Sequence, residues 1–276
     1  MNIRAIIIPV LSAQLLFACD TIGEDERLLA VEPADGSVPG GSDDGGSIEM
    51  RRVLLEDFTG QRCSNCPRAA AEIERLKAAY GADTLIAVSI HGGELAFSGN
   101  ESNVGLRNNL GNEYNSYWDI NSWPKGMINR SGTLTDYEDW FTLAHAALTL
   151  TAPVRLSVKA AHRAGGNIEI ATTVEGLEDV DASLQLWVTE SGIVAMQSMP
   201  DGTVNREYVH NHVLRTAVNG VWGERLSVLQ GQTLTLNHTV TPAATWDATQ
   251  LSIVAFVYKE QQGVLQVTEQ NVTAYE

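Results

Sequence analysis

The chain has 276 residues, with 34 acidic against 18 basic side chains and a formal net charge of −16 at pH 7. That acid excess makes nucleic acid and anionic lipid surfaces poor partners. The length suits one large domain or two small ones, and a 44% hydrophobic content is enough for a sizeable core.

Residues 1–19 read as a signal peptide rather than as part of a fold. Arg4 supplies a thin positive start, and Ala5 to Leu16 is apolar but too short to span a bilayer. The run ends in Leu16-Phe17-Ala18-Cys19, which resembles a bacterial lipobox. Cys19 is therefore expected to carry lipid on its sulfur and to become the new N-terminus. Ordinary signal cleavage, leaving a free thiol, is the alternative. The small-residue pattern lands immediately before the cysteine and favours the lipid anchor. Export places the chain where disulfides persist. Residues 20–49 are rich in Gly, Ser, Asp and Glu, and read as a flexible acidic linker.

Residues 50–151 alternate strand and helix patterns. Val53-Leu54-Leu55 leads into Glu56-Asp57-Phe58-Thr59-Gly60-Gln61-Arg62-Cys63-Ser64-Asn65-Cys66-Pro67, and Ala69, Ile73, Leu76 and Tyr80 then mark one helix face. The Cys63/Cys66 pair thus sits where a strand becomes a helix. A helix N-terminus stabilises a thiolate through its partial charge and free N–H groups, and Arg62 adds a full charge. A Cys-x-x-Cys in this position is the redox signature of thioredoxin-like domains. Two plainer readings stand beside it. One is half of a zinc site with His91, although no second cysteine pair exists. The other is an inert disulfide, whose small loop would contribute little stability. A thioredoxin-like fold also implies a buried carboxylate six positions before the first cysteine, here Asp57, as proton acceptor for Cys66. Glu56 should point to the opposite side of the strand.

Residues 84–90 form an apolar run of parallel-strand type, completing a strand–helix–strand unit that ends in His91. His91 reads either as a neighbour of the cysteines or as a loop histidine. Leu106, Leu110, Tyr114 and Tyr117-Trp118 predict a packing helix. In Trp123-Pro124-Lys125-Gly126-Met127-Ile128, thioredoxin-like order puts Pro124 in cis at the start of a strand, with Trp123 and Pro124 docking a substrate chain. Thr135 to Glu138 has capping-box spacing ahead of a closing helix carrying Trp140, Phe141, Ala144, Ala147 and Leu148.

From residue 152 to 276 the period changes to two. Strand patterns recur at Val154-Leu156-Val158, Ile168-Ile170, Leu184-Leu186-Val188, Leu234-Leu236, Ile253 to Tyr258 and Val264 to Val267. Short strands with glycine turns and no helix predict an antiparallel β-sandwich without an internal disulfide. In Tyr208-Val209-His210-Asn211-His212, a strand would put His210 and His212 on one face. Such a pair can bind metal, but no third ligand is near, and a polar packing face is the plainer reading.

Taken together, these segments resemble the lipoproteins named for a twenty-eight-kilodalton outer membrane protein. The residues that carry the resemblance are 56–60 with 63–67, Trp123 to Arg130, Tyr208 to Arg215 and Trp222-Gly223. It implies an α/β thioredoxin-like domain followed by an all-β immunoglobulin-like sandwich, anchored in the outer membrane and facing the periplasm or the cell surface. The chain departs from true thioredoxins in having Arg62 where they carry Trp, and Ser64-Asn65 where they carry Gly-Pro. The expected activity is thiol–disulfide exchange on extracytoplasmic proteins with thiols or disulfides. Cys63 would attack, Cys66 resolve and Asp57 move the proton, with no cofactor and no metal. The alternative is a non-catalytic surface binding or adhesion lipoprotein that uses the same fold as a scaffold.

Overall fold

The computed structural model describes residues 48–274, so the signal peptide, Cys19 and most of the acidic linker lie outside the described residues. The first strand, β1 (Val53–Thr59), is buried along its whole length. The helix α1 (Cys66–Tyr80) carries the chain to β2 (Leu85–His91), which pairs with β1 in parallel. Helix α2 (Asn109–Tyr117) follows, capped by the Asn108 side chain, which accepts from Gly111 N. Strand β3 (Lys125–Ile128) then returns antiparallel to β1, and helix α3 (Trp140–Leu148) closes this region.

The regular structure of the remaining chain is strand, apart from a short 3-10 turn at Ala248–Gln250. In order it gives β4 (Val154–His162), β5 (Ile168–Gly176), β6 (Val180–Glu190), β7 (Ile193–Ser198), β8 (Val204–His210), β9 (Val213–Ala217), β10 (Glu224–Val228), β11 (Thr233–Val240), β12 (Leu251–Lys259) and β13 (Gly263–Asn271). These strands make three sheets. The largest runs β13-β12-β6-β9-β2-β1-β3, with β10 also on β6. It therefore carries both the parallel pair of the N-terminal region and the long antiparallel strands that follow residue 152. The join between β9 and β2 is narrow: Ser89 pairs with Val213, and Ser89 N donates to His212 O at 2.8 Å. A second sheet, β11-β5-β4, alternates buried and open residues along β4 and β5, as a sheet with one covered face should. The third is the separate hairpin β7-β8.

The large sheet is covered on both faces, which explains the unbroken apolar runs in β2 and β12. On one face, Ile253, Ala255 and Val257 of β12 and Leu184, Leu186 and Val188 of β6 pack against Leu156 and Ile170 of the small sheet. Beside that layer, Leu55 and Leu85 meet Ile73 and Leu76 of α1 and Trp140 of α3. On the other face, Phe58, Val88, Tyr114, Trp187 and Phe256 share one core, so both halves of the sequence contribute to it. Fully burying a side chain of this size contributes about 1.5–3 kcal/mol. Among the described residues no helix is long and apolar enough to cross a membrane.

Two local expectations are not met. Helix α2 starts at Asn109, so Leu106 packs from the preceding loop instead. Thr135 does not cap α3; its backbone pairs with Gly126 in both directions, and a short 3-10 turn at Tyr137–Asp139 leads into the helix.

A buried ion pair ties the region together. After β3 the chain bends through Asn129 and Arg130, both with positive φ. Arg130 Nε donates to Glu56 Oε1 at 3.0 Å, and both side chains are almost wholly buried. The guanidinium carbon lies 4.8–5.5 Å from the rings of Tyr114, Trp187, Trp222, Phe256 and Tyr258. Burial pushes the Glu56 carboxyl up while Arg130 draws it back, and burial works against the Arg130 charge while Glu56 and the Tyr114 and Tyr258 hydroxyls outweigh it and hold Arg130 above its usual value. Removing one partner strands the other charge. Arg130→Met is therefore expected to cost about 3–5 kcal/mol in urea unfolding. Combining it with Glu56→Gln should cost less than the two single losses added.

Candidate functional site

The end of β1 fixes the cysteines. Gly60 lies so close to the Leu95–Ala96 backbone that an added Cβ would sit 2.5 Å from Leu95 C. Arg62 N donates to Leu95 O at 2.9 Å, and Cys63 N closes a turn onto Gly60 O at 3.0 Å. Asn65 then begins α1, with Pro67 in its first turn, where the missing N–H costs nothing. Cys63 and Cys66 form a disulfide with their Cα atoms 5.4 Å apart. The helix-start amide of Cys66 donates to Cys63 Sγ at 3.0 Å. This is the donor a thiolate at Cys63 would use.

Asp57 lies on the α1 side of β1, paired in register with Ser89, while Glu56 turns to the aromatic core. The two adjacent carboxylates therefore face opposite layers. Asp57 is 2% exposed, and its Oδ1 has no hydrogen-bond partner. Burial pushes its carboxyl up to about 7, and a hydrogen bond with the Ser89 side chain offsets only part of this. Asp57, Cys66, Ser89 and His91 line one cavity of about 330 Å³ behind the disulfide, and Gln197, Tyr208 and His210 from the β7–β8 hairpin line it too.

His91 is thus not a free loop residue. Its ring packs edge-on against His210 at 5.6 Å between centroids. Burial lowers His91 to about 3 and His210 to about 4. His91 Nδ1 and His210 Nε2 both lack partners. The expected shared face of His210 and His212 does not form. Strand β8 stops at His210, and His212 takes a positive φ of 55°. Its Nε2 instead meets Lys77 Nζ at 2.7 Å, and burial followed by the Lys77 charge lowers it to about 4. Among the described residues no cluster of three or more His, Cys, Asp or Glu has metal-holding geometry.

Near the start of α1, the Trp123–Pro124 peptide is cis. Both residues line a groove of about 550 Å³ with Asn65, Arg68 and Lys125, where Lys125 Nζ pairs with Asp136 at 2.7 Å.

Two glutamines escape the sequence reading. Gln61, fully buried, accepts from Leu106 N at 2.9 Å and donates to Val104 O at 3.0 Å and Met196 O at 3.2 Å. Gln197 Nε2 donates to Cys63 O at 2.8 Å. A lone polar residue carries no period, and nearness to the cysteines is the one signal that could have pointed to Gln61.

With this geometry in place, residues 111–275 match the family model of outer membrane protein Omp28, and the chain belongs to that family of outer membrane proteins. HBP35 of Porphyromonas gingivalis shares its fold, with a TM-score of 0.64 at 15% identity over 81% of this chain and 76% of that one. A domain of the outer membrane lipoprotein Omp28 from Porphyromonas gingivalis is 24% identical over 45% of this chain and all of that one, with a TM-score of 0.34. No curated protein matches the chain.

The buried histidines set an acid limb of stability. Both have folded pKa values below the usual 6.5. The unfolded chain then binds more protons, so stability is full above about pH 6.5 and falls as pH drops towards 4. Each histidine contributes about 1.4 kcal/mol per pH unit. Asp57 acts in the opposite sense, since its raised pKa gives stability at low pH that is lost as pH rises through about 7. Urea unfolding between pH 7 and 4.5 should show a shallower acid loss for His91→Gln and a steeper one for Asp57→Asn.

Proposed function

We propose that the protein is a lipoprotein anchored through Cys19 in the outer membrane, whose thioredoxin-like N-terminal region exchanges disulfides with extracytoplasmic proteins. The observation that carries this reading is the Cys63–Cys66 disulfide at a helix start, with the buried Asp57 carboxyl behind it near neutral pKa. Cys63 takes the partner's sulfur, and Cys66 resolves the mixed disulfide. Asp57 accepts the Cys66 proton in one direction and returns it in the other. Trp123 and Pro124, beside Asn65, dock the partner's extended chain in the groove they line. The β-rich region holds the site and completes its wall, and the reaction uses no cofactor. The membrane face, periplasmic or external, is set by the anchor and its export.

A specific observation favours a second reading. Both cysteines are only 3% exposed. A disulfide so covered suits a stapled, non-catalytic binding lipoprotein.

Redox equilibration in glutathione buffers separates the two. The exchange reading expects a potential between about −120 and −270 mV, together with partners trapped by Cys66→Ser. A potential below about −300 mV with nothing trapped leaves the staple. Within the first reading, Asp57→Ala should slow resolution by Cys66 about a hundredfold at pH 7.5 and remove the rate inflection near pH 7, as stopped-flow thiol exchange would show.

A further inference from the structure

We propose that the β7–β8 hairpin is a gate over the Cys63–Cys66 disulfide, latched by Gln197 and Gln61, and that a thiol reaches Cys63 only when the hairpin swings off. The proposal rests on the exchange reading for its purpose, but its geometry stands alone.

Both cysteines are 3% exposed, and of the two only Cys66 lines the cavity behind the disulfide. Cys63 lines neither the cavity behind the disulfide nor the groove beside Trp123. Gln197, on β7, donates to Cys63 O, and Gln61 reaches across to Met196 O while Ser198 N returns to Gln61 O at 2.8 Å. These bonds link the cysteine loop to the hairpin alone and not to either larger sheet.

The hairpin is also built to move as a piece. Its two strands form a separate sheet, with no ladder to the other strands. An isolated two-stranded hairpin is marginal in water, so its contacts with the body decide where it lies. Its outward face is open, with Val194, Val204 and Val209 each about half exposed. Both ends run through a neck in which Gly192 has φ 75° and His212 φ 55°. Gly192 N donates to Asn211 Oδ1 and His212 N to Ser191 Oγ, both at 3.0 Å. The two chain crossings are thus tied side by side, as a hinge with one axis requires. Gln197, Tyr208 and His210 move with the hairpin, so opening it unroofs Asp57, Ser89, His91 and Cys66 together.

With the gate open, a dithiol partner completes a balanced exchange. Its thiolate attacks Cys63 Sγ, the Cys63–Cys66 bond breaks, and Cys66 leaves as a thiolate that takes the Asp57 proton. The partner's second thiolate then attacks its own sulfur in the mixed disulfide and releases Cys63. The partner is oxidised and the protein is reduced.

The test follows reduction of the full chain in detergent by tris(2-carboxyethyl)phosphine, a small reductant that needs no docking groove. Gln197→Met, which frees the hairpin from Cys63 O, should speed reduction about fivefold, the worth of one net hydrogen bond, and Gln61→Ala, which gives up its bonds to Leu106 and Val104 as well as to Met196, at least as much. Val194→Thr, outside the latch, should leave the rate as it is. Hydrogen exchange on the unaltered protein should show β7 and β8 amides opening well before those of β12. Equal reduction rates in folded latch variants and wild type would overturn the gate, as would hairpin amides protected as strongly as β12. If a latch variant fails to fold, the exchange measurement decides alone. Faster reduction in the variants without any trapped partner keeps the gate and removes the exchange reading.

Discussion

The bend at Asn129 and Arg130 holds the molecule together. Asn129 Oδ1 accepts from Leu54 N at 2.7 Å, its own amide donates to Leu54 O at 2.8 Å, and its carbonyl accepts from Val264 N at 2.7 Å. One residue therefore stitches β3 to β1 and reaches the start of β13. Arg130, next in the chain, sends a charge into the layer where both halves of the sequence meet. Five aromatic rings and one carboxylate stand around it. A hydrophobic cluster would tolerate many arrangements of those rings. A single desolvated cation tolerates few, because its partner must arrive in the same place.

Glu56 and Asp57 show how one strand serves two chemistries. Both are removed from water, but their neighbours differ. Glu56 meets a fixed cation and serves as its counter-charge. Asp57 meets the Ser89 hydroxyl and shares its cavity with His91 and His210, so ionisation is repaid only in part and burial holds the carboxyl up to about 7. The same residue chemistry becomes a buried counter-charge on one face and a buried, readily protonated carboxyl on the other. The ion pair helps to place β1, and β1 places the Asp57 carboxyl in the cavity behind the disulfide.

Much of this was legible in the residues. The apolar run before the cysteines, the helical stripe from Ala69 to Tyr80 and the period-two strands after Val154 all form where their patterns fall. The opposed directions of Glu56 and Asp57 follow from the alternation of a strand. The hairpin β7–β8 was not legible, since β8 is mostly exposed and polar and gives no alternating signal. The separation of His210 from His212 was hidden for a related reason: a strand period assumes that the strand continues, and here it stops at a left-handed residue. The shared sheet was hidden because the Ser89–Val213 pairing spans more than a hundred residues, and local pattern carries no information at that range. Gln61 and Gln197 act through single hydrogen bonds that leave no periodic trace.

The alternation along β1 has an evolutionary reading. The spacing of the two carboxylates is counted in a unit of two residues, and an insertion of one would exchange the layers seen by residues 56 and 57. Glu56 would then face the cavity behind the disulfide, and the shorter Asp57 would have to reach Arg130 among its five rings. Length change in this stretch is therefore confined to even numbers, or to the loop beyond Thr59. Drift in the chemistry of the site must come through side-chain replacement instead.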